Sequence, residues 1–145
     1  MNIILLSGGS GKRLWPLSND VRSKQFIKLF KDEEGNYESM VQRVYRQIQS
    51  VDEYANITIA TSKSQASAIK NQLGEKVEIC VEPCRRDTFP AILLASAYLH
   101  DELSVSENEC VVVCPVDPYV DNTYYEAVKQ LEELVSKNTA NLTLM

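Results

Sequence analysis

Asn2-Ile3-Ile4-Leu5-Leu6-Ser7-Gly8-Gly9-Ser10-Gly11-Lys12-Arg13 opens the chain and decides how the rest is read. The branched and leucine side chains of residues 2–6 predict a buried β-strand, stopped by the glycine-rich run that follows. Three glycines in four positions let backbone N–H groups approach an anion with no Cβ in the way. The adjacent cations Lys12 and Arg13 point to a phosphate-rich ligand. Spacing excludes two common phosphate motifs. A Walker-type loop would need a glycine where Leu6 stands and Ser or Thr where Arg13 stands. A dinucleotide fingerprint counted from Gly9 meets Leu14 at its third glycine, and counted from Gly8 it meets Ser10 and Arg13.

Outward from this stretch, short apolar runs alternate with amphipathic ones. Residues 56–60, 77–81 and 110–114 predict further strands, and 141–144 the opening of one more. Residues 39–49 place Met40, Val41, Val44, Tyr45 and Ile48 on one helical face. Residues 62–73 predict a helix capped by Gly74. A helix over 90–100 begins at a proline, with Asp87-Thr88 before it as capping residues. Residues 122–136 carry the stripe Tyr125, Val128, Leu131, Leu134 and Val135. These stripes read as core packing. Strands separated by helices imply an α/β fold, a mostly parallel sheet with helices on both faces. Ligands of such sheets bind at the carboxyl ends of the strands, so the loops after Leu6, Val81 and Cys114 are where chemistry is expected.

The bulk properties suit one soluble domain: 145 residues, 44% apolar and 24% charged. The net charge of -5 argues against a nucleic-acid partner, which would call for a basic surface. The longest apolar run, residues 89–99, contains Pro90 and Ser96 and falls short of the roughly 20 residues that span a bilayer. No basic segment precedes the short N-terminal apolar run, so no secretory signal is read there and a cytoplasmic location is expected. Cys80, Cys84, Cys110 and Cys114 lack knuckle spacing, and Cys80 and Cys110 fall in β-like runs as small buried hydrophobes, so reduced thiols are expected over a zinc site. The single histidine, His100, is expected late in a helix and exposed.

Gly8-Gly9, Gly11, Arg13-Leu14 and Pro16-Leu17, followed by Lys24, resemble the signature loop of the nucleotide-sugar pyrophosphorylases. Trp15-Pro16-Leu17-Ser18 and Lys24-Gln25-Phe26 look like the mannose-1-phosphate guanylyltransferase branch of that family. Glu82-Pro83-Cys84-Arg85-Arg86-Asp87-Thr88-Phe89-Pro90-Ala91 and Pro115-Val116-Asp117-Pro118 are similar to two later segments of that branch. The resemblance implies a Rossmann-like, glycosyltransferase-A-like nucleotidyltransferase fold. It also implies transfer of a nucleotidyl group from a nucleoside triphosphate, GTP first, to a sugar-1-phosphate such as mannose-1-phosphate. Pyrophosphate leaves. Such an in-line displacement asks for positioning and charge neutralisation more than for acid–base chemistry.

By the same resemblance Arg13, Lys24 and Asp117 are the expected catalytic residues. Gly8, Gly9, Gly11, Lys12, Arg13, Glu82, Pro83 and Asp87 are expected around the nucleotide. Arg13 suits bidentate phosphate contacts, and Lys24 suits the α-phosphate or the incoming sugar phosphate. Asp117 suits a magnesium ion shared with the substrate phosphates, although an Asp between Val116 and Pro118 could instead shape a turn. Lys12, Ser23, Asp87, Phe89 and Pro118 depart from the family pattern, which has Thr, Pro, Asn, Ala and His there. The departure at Asp87 bears on base preference.

Family members run much longer, and their sugar pocket and second carboxylate lie further on. The chain is therefore expected to be the N-terminal, nucleotide-binding portion over 1–145, with the sugar-binding half absent and no turnover alone. A homo-oligomer is a further expectation, through an unpaired edge near residues 142–145. Other readings remain open: the same fold with another triphosphate and sugar, or a non-catalytic nucleotide-binding fragment.

Overall fold

The computed structural model describes residues 1–9, 15–18, 23–137 and 139–144. Strand β1 spans Asn2–Ser7. After a single 3₁₀ turn at Lys24–Phe26, β2 (Lys28–Lys31) and β3 (Tyr37–Ser39) form a small antiparallel hairpin. Helix α1 spans Met40–Val51, β4 Asn56–Ser62, α2 Lys63–Leu73 and β5 Glu78–Glu82. Helix α3 covers Thr88–Asp101, β6 Val111–Pro115 and α4 Asn122–Ser136.

Four strands form one sheet in the order β5-β4-β1-β6, and every neighbouring pair is parallel. Alternation along each strand splits the core in two, as period-2 side-chain geometry requires. Ile3, Leu5, Ile57 and Ile59 pack with Val41, Val44 and Ile48 of α1, Ile69 of α2 and Tyr125 of α4. Ile4, Ala60 and Cys80 face the other way, onto Ala95 and Leu99 of α3. The α/β class with helices on both faces is therefore as expected. The second layer is thinner. Phe89, Leu93 and Leu94 of α3 and Val113 of β6 stay exposed.

Local signals account for some element ends. Ser39 caps α1 through a reciprocal capping box with Gln42, and Gly74 ends α2 at φ 98°, where a Cβ would be strained. Three expectations are corrected. Residues 141–144 form no strand, having no neighbour to complete a backbone ladder among the described residues. Cys110 lies just before β6 rather than inside it. Asp87 precedes α3, but its side chain makes no capping hydrogen bond. The β2–β3 hairpin was not anticipated, because neither Lys28–Lys31 nor Tyr37–Ser39 carries an apolar run, and the residues buried in β3 are the polar Glu38 and Ser39.

Candidate active site

The chain reverses its direction of travel across the sheet at β1. Strands β4 and β5 are added on one side of it and β6 on the other. Beyond the carboxyl ends of strands at such a switch point, a parallel sheet leaves a crevice. Here it is a cavity of about 500 Å³. Gly8 and Gly9 reach it from the end of β1, Glu82 from β5, Arg85, Asp87 and Thr88 from the approach to α3, and Asp117 from the loop after β6. A broader depression of about 660 Å³ lies between Arg43, Tyr119 and the start of α4, and no candidate residue lines it.

Lys24 and Asp117, 93 residues apart, meet at this cavity with Nζ 2.6 Å from Oδ2. Their side chains are 28% and 43% exposed, so the pair stands in water at the rim. Lys24 is presented by the 3₁₀ turn, whose other members Gln25 and Phe26 are buried. Glu82 is buried at the end of β5, and its Oε1 would lie 3.5 Å from a Cβ placed on Gly8, an ordinary contact. The carboxylate thus borders the backbone of the glycine loop. Asp87 holds φ 66° and ψ -167°, a region nearly confined to glycine, and such strain concentrates at functional sites. Pro83 is exposed and stands outside the cavity lining. Gly11, Lys12 and Arg13 lie outside the described residues.

Arg85 was not singled out by sequence, yet it lines the cavity. The signal was present: two adjacent arginines at a strand end of a chain with net charge -5. The buried thiols serve packing. Burial pushes Cys114 up to about 11, and it raises Cys80 too, with Glu82 adding to the effect. Neither thiol supplies a thiolate near neutral pH. His100 lies exposed in the last turn of α3, bonded to Asp101, far along the helix from the cavity.

Among the described residues no three His, Cys, Asp or Glu side chains gather as a metal cage. Magnesium does not require one, since it binds through one or two carboxylates together with water and substrate phosphates. Asp117, exposed at the rim, suits that mode.

A family profile described as nucleotidyl transferase matches residues 2–145, and the chain belongs to that family. It is 40% identical over 96 residues to the xanthan biosynthesis protein XanB of Xanthomonas campestris, covering 64% of this chain and 20% of that protein. It is 32% identical over 117 residues to a mannose-1-phosphate guanylyltransferase of Escherichia coli, covering 79% and 24%. The alginate biosynthesis protein AlgA of Pseudomonas putida shares 32% over 124 residues, covering 82% and 24%. Among solved structures, a protein named mannose-1-phosphate geranyltransferase from Thermus thermophilus superposes with a TM-score of 0.74 at 27% identity, over 94% of this chain and 38% of that one. The chain thus spans about a quarter or less of the length of these curated relatives.

Proposed function

We propose that this member of the nucleotidyl transferase family holds a nucleoside triphosphate, GTP by preference, in the cavity beyond β1, β5 and β6. It would hold it for transfer to a sugar-1-phosphate, with mannose-1-phosphate as the first acceptor to test. The observation that carries the reading is the meeting of Lys24 with Asp117 at 2.6 Å beside Gly8 and Gly9. A cation, a carboxylate and a glycine-rich backbone converge there, as binding of a metal–phosphate group requires. The kinship with a mannose-1-phosphate guanylyltransferase supports the choice of substrates.

In the proposed reaction an oxygen of the sugar phosphate attacks the α-phosphorus. The bond from that phosphorus to the bridging oxygen breaks, and pyrophosphate departs. Lys24 offsets negative charge as it builds on the reacting phosphate, and its neighbourhood keeps the ammonium near the chain's own anionic partner until ligand arrives. Asp117 would hold magnesium, which supplies charge neutralisation on the phosphates. Glu82 and Asp87 border the side of the cavity where base and ribose would lie.

A thermal-shift panel of GTP, ATP, UTP and CTP with magnesium tests it. At a hundredfold excess over Kd, binding stabilises by about 2.7 kcal/mol, roughly 5–10 °C for a chain of this size. The largest rise is expected with GTP. No rise with any triphosphate would reject the site.

A further inference from the structure

Behind the glycine loop, on the α1/α2/α4 side of the sheet, lies a cluster of buried polar side chains. Ser7, Ser23, Gln25, Thr61 and Gln65 are each 7% exposed or less. Gln25 Nε2 lies 3.1 Å from the Ser7 carbonyl, 2.8 Å from Ser7 Oγ and 3.2 Å from Gln65 Oε1. Gln65 Nε2 donates to the Gly9 carbonyl at 3.2 Å and to Ser23 Oγ at 2.9 Å. Ser23 Oγ donates to the same Gly9 carbonyl at 2.6 Å. Thr61 Oγ1 lies 3.0 Å from the Ser7 carbonyl and 3.1 Å from Gln65 Oε1. Gln65 is thus joined to three segments, at Gly9, at Ser23 and Gln25, and at Thr61 of β4, although it sits on α2 and does not line the cavity.

Buried amides are costly unless paired, so a cluster satisfied this fully holds its members in one arrangement. Two consequences reach the cavity. The Gly9 carbonyl, engaged by two buried donors, is not turned on an incoming anion. Ser23 and Gln25 flank Lys24 on both sides and are both tied into the cluster, so the backbone that carries the lysine has little freedom. We infer that Gln65 is a positioning residue, acting through Ser23, Gln25 and the Gly9 carbonyl to set where Lys24 and the glycine loop stand for a triphosphate. The inference rests on the triphosphate reading of the cavity.

Ser23 has φ -63°, the value a proline ring imposes. Ser23→Pro therefore keeps that backbone angle without the hydroxyl, whereas Ser23→Ala loses the hydroxyl and gains no constraint. In the test, calorimetry measures MgGTP affinity, hydrogen exchange reads the amides of residues 8–9 and 24–26 without ligand, and unfolding gives Tm. Gln65→Leu should weaken MgGTP binding about tenfold, the worth of one good hydrogen bond, and speed exchange in those two segments more than in α2 itself. Adding Ser23→Pro should recover part of both effects, and adding Ser23→Ala none. If Gln65→Leu lowers Tm but leaves affinity as in the wild type, the role is structural and the inference is overturned. The same holds if exchange rises uniformly or if proline gives no recovery. Absence of MgGTP binding by the wild type would overturn the triphosphate reading instead, and the exchange measurements would then decide the clamp alone.

Discussion

Lys24 and its neighbours Ser23 and Gln25 are adjacent in sequence and differ in what surrounds them. Ser23 and Gln25 are each 1% exposed and bonded to Gly9, Ser7 and Gln65. The Lys24 side chain is 28% exposed and meets Asp117 at the rim of the cavity. The two settings obey different energetics. An ion pair in water contributes about 0–1 kcal/mol, so it opens readily when another anion or cation arrives. A buried amide stripped of its partner costs about 1–3 kcal/mol, so the back of the site resists rearrangement. The site combines a stiff rear with an exchangeable front, as the proposed binding of a triphosphate in place of Asp117 at Lys24 would require.

The strongest way to break this comparison is to remove the front. Lys24→Ala should weaken MgGTP binding about 10–100-fold by calorimetry, since hydrogen bonds to charged groups are worth about 1.5–3 kcal/mol. Asp117→Asn should make GTP affinity the same with magnesium as with a chelator, whereas the wild type should lose affinity when the metal is removed. Undiminished metal dependence in that variant would show that the carboxylate has been misassigned.

Removing the rear should act on stability first. Gln25→Leu strips donors from Ser7 and Gln65 and should cost about 2–3 kcal/mol in urea unfolding, or roughly 4–12 °C in Tm. A neutral effect would mean that water replaces the amide and the rear is no stiffer than the front.

A smaller effect concerns the stability worth of the front pair. A double-mutant cycle on Lys24→Ala and Asp117→Ala should give a coupling of at most about 1 kcal/mol. The coupling should vanish in about 1 M salt, where the screening length falls to about 3 Å. A salt-resistant coupling of several kcal/mol would place the pair with the buried cluster.

The smallest effect is expected one turn beyond the rim. Asp121 caps α4, and the Thr123 hydroxyl and amide donate to its carboxylate. The bond from the Thr123 side chain, foremost, holds its carboxyl below the ordinary value of 3.8. Because the folded value is the lower one, the stabilisation is complete above the ordinary value and disappears as pH falls through the folded one. Asp121→Ala should therefore lower Tm slightly at neutral pH and flatten the acid side of the stability curve. An unchanged acid limb would show that the cap adds nothing.

Much of this was legible in the residues themselves. Four strands and four helices follow from runs of Ile, Leu and Val and from stripes such as Val41, Val44 and Ile48, because burial of one face imposes a local period. The rim residues were legible too, since Gly8, Glu82 and Asp117 each sit at or just past the end of an apolar run. Gln25 and Gln65 were not. A buried glutamine has the same local appearance as a solvated one, and its burial depends on partners 18 and 40 residues away. Residues 141–144 misled for the converse reason: an apolar, branched stretch reads as strand whether or not a neighbour offers hydrogen bonds.

By itself, the sequence determined the α/β class, the order of the four sheet strands and four helices along the chain, and the kinship carried by Lys24-Gln25-Phe26 and Pro115-Val116-Asp117. All of these are written in short windows, where side-chain period, chain stiffness and backbone freedom act locally. The tertiary structure alone decided that β6 lies beside β1 rather than beside β5, and the front of the site follows from that adjacency. It brings Asp117 to Lys24 across 93 residues, and the packing of α2 beneath the sheet brings Gln65 to the Gly9 carbonyl across 56. Strand order is a property of how whole layers pack, and no local period encodes it.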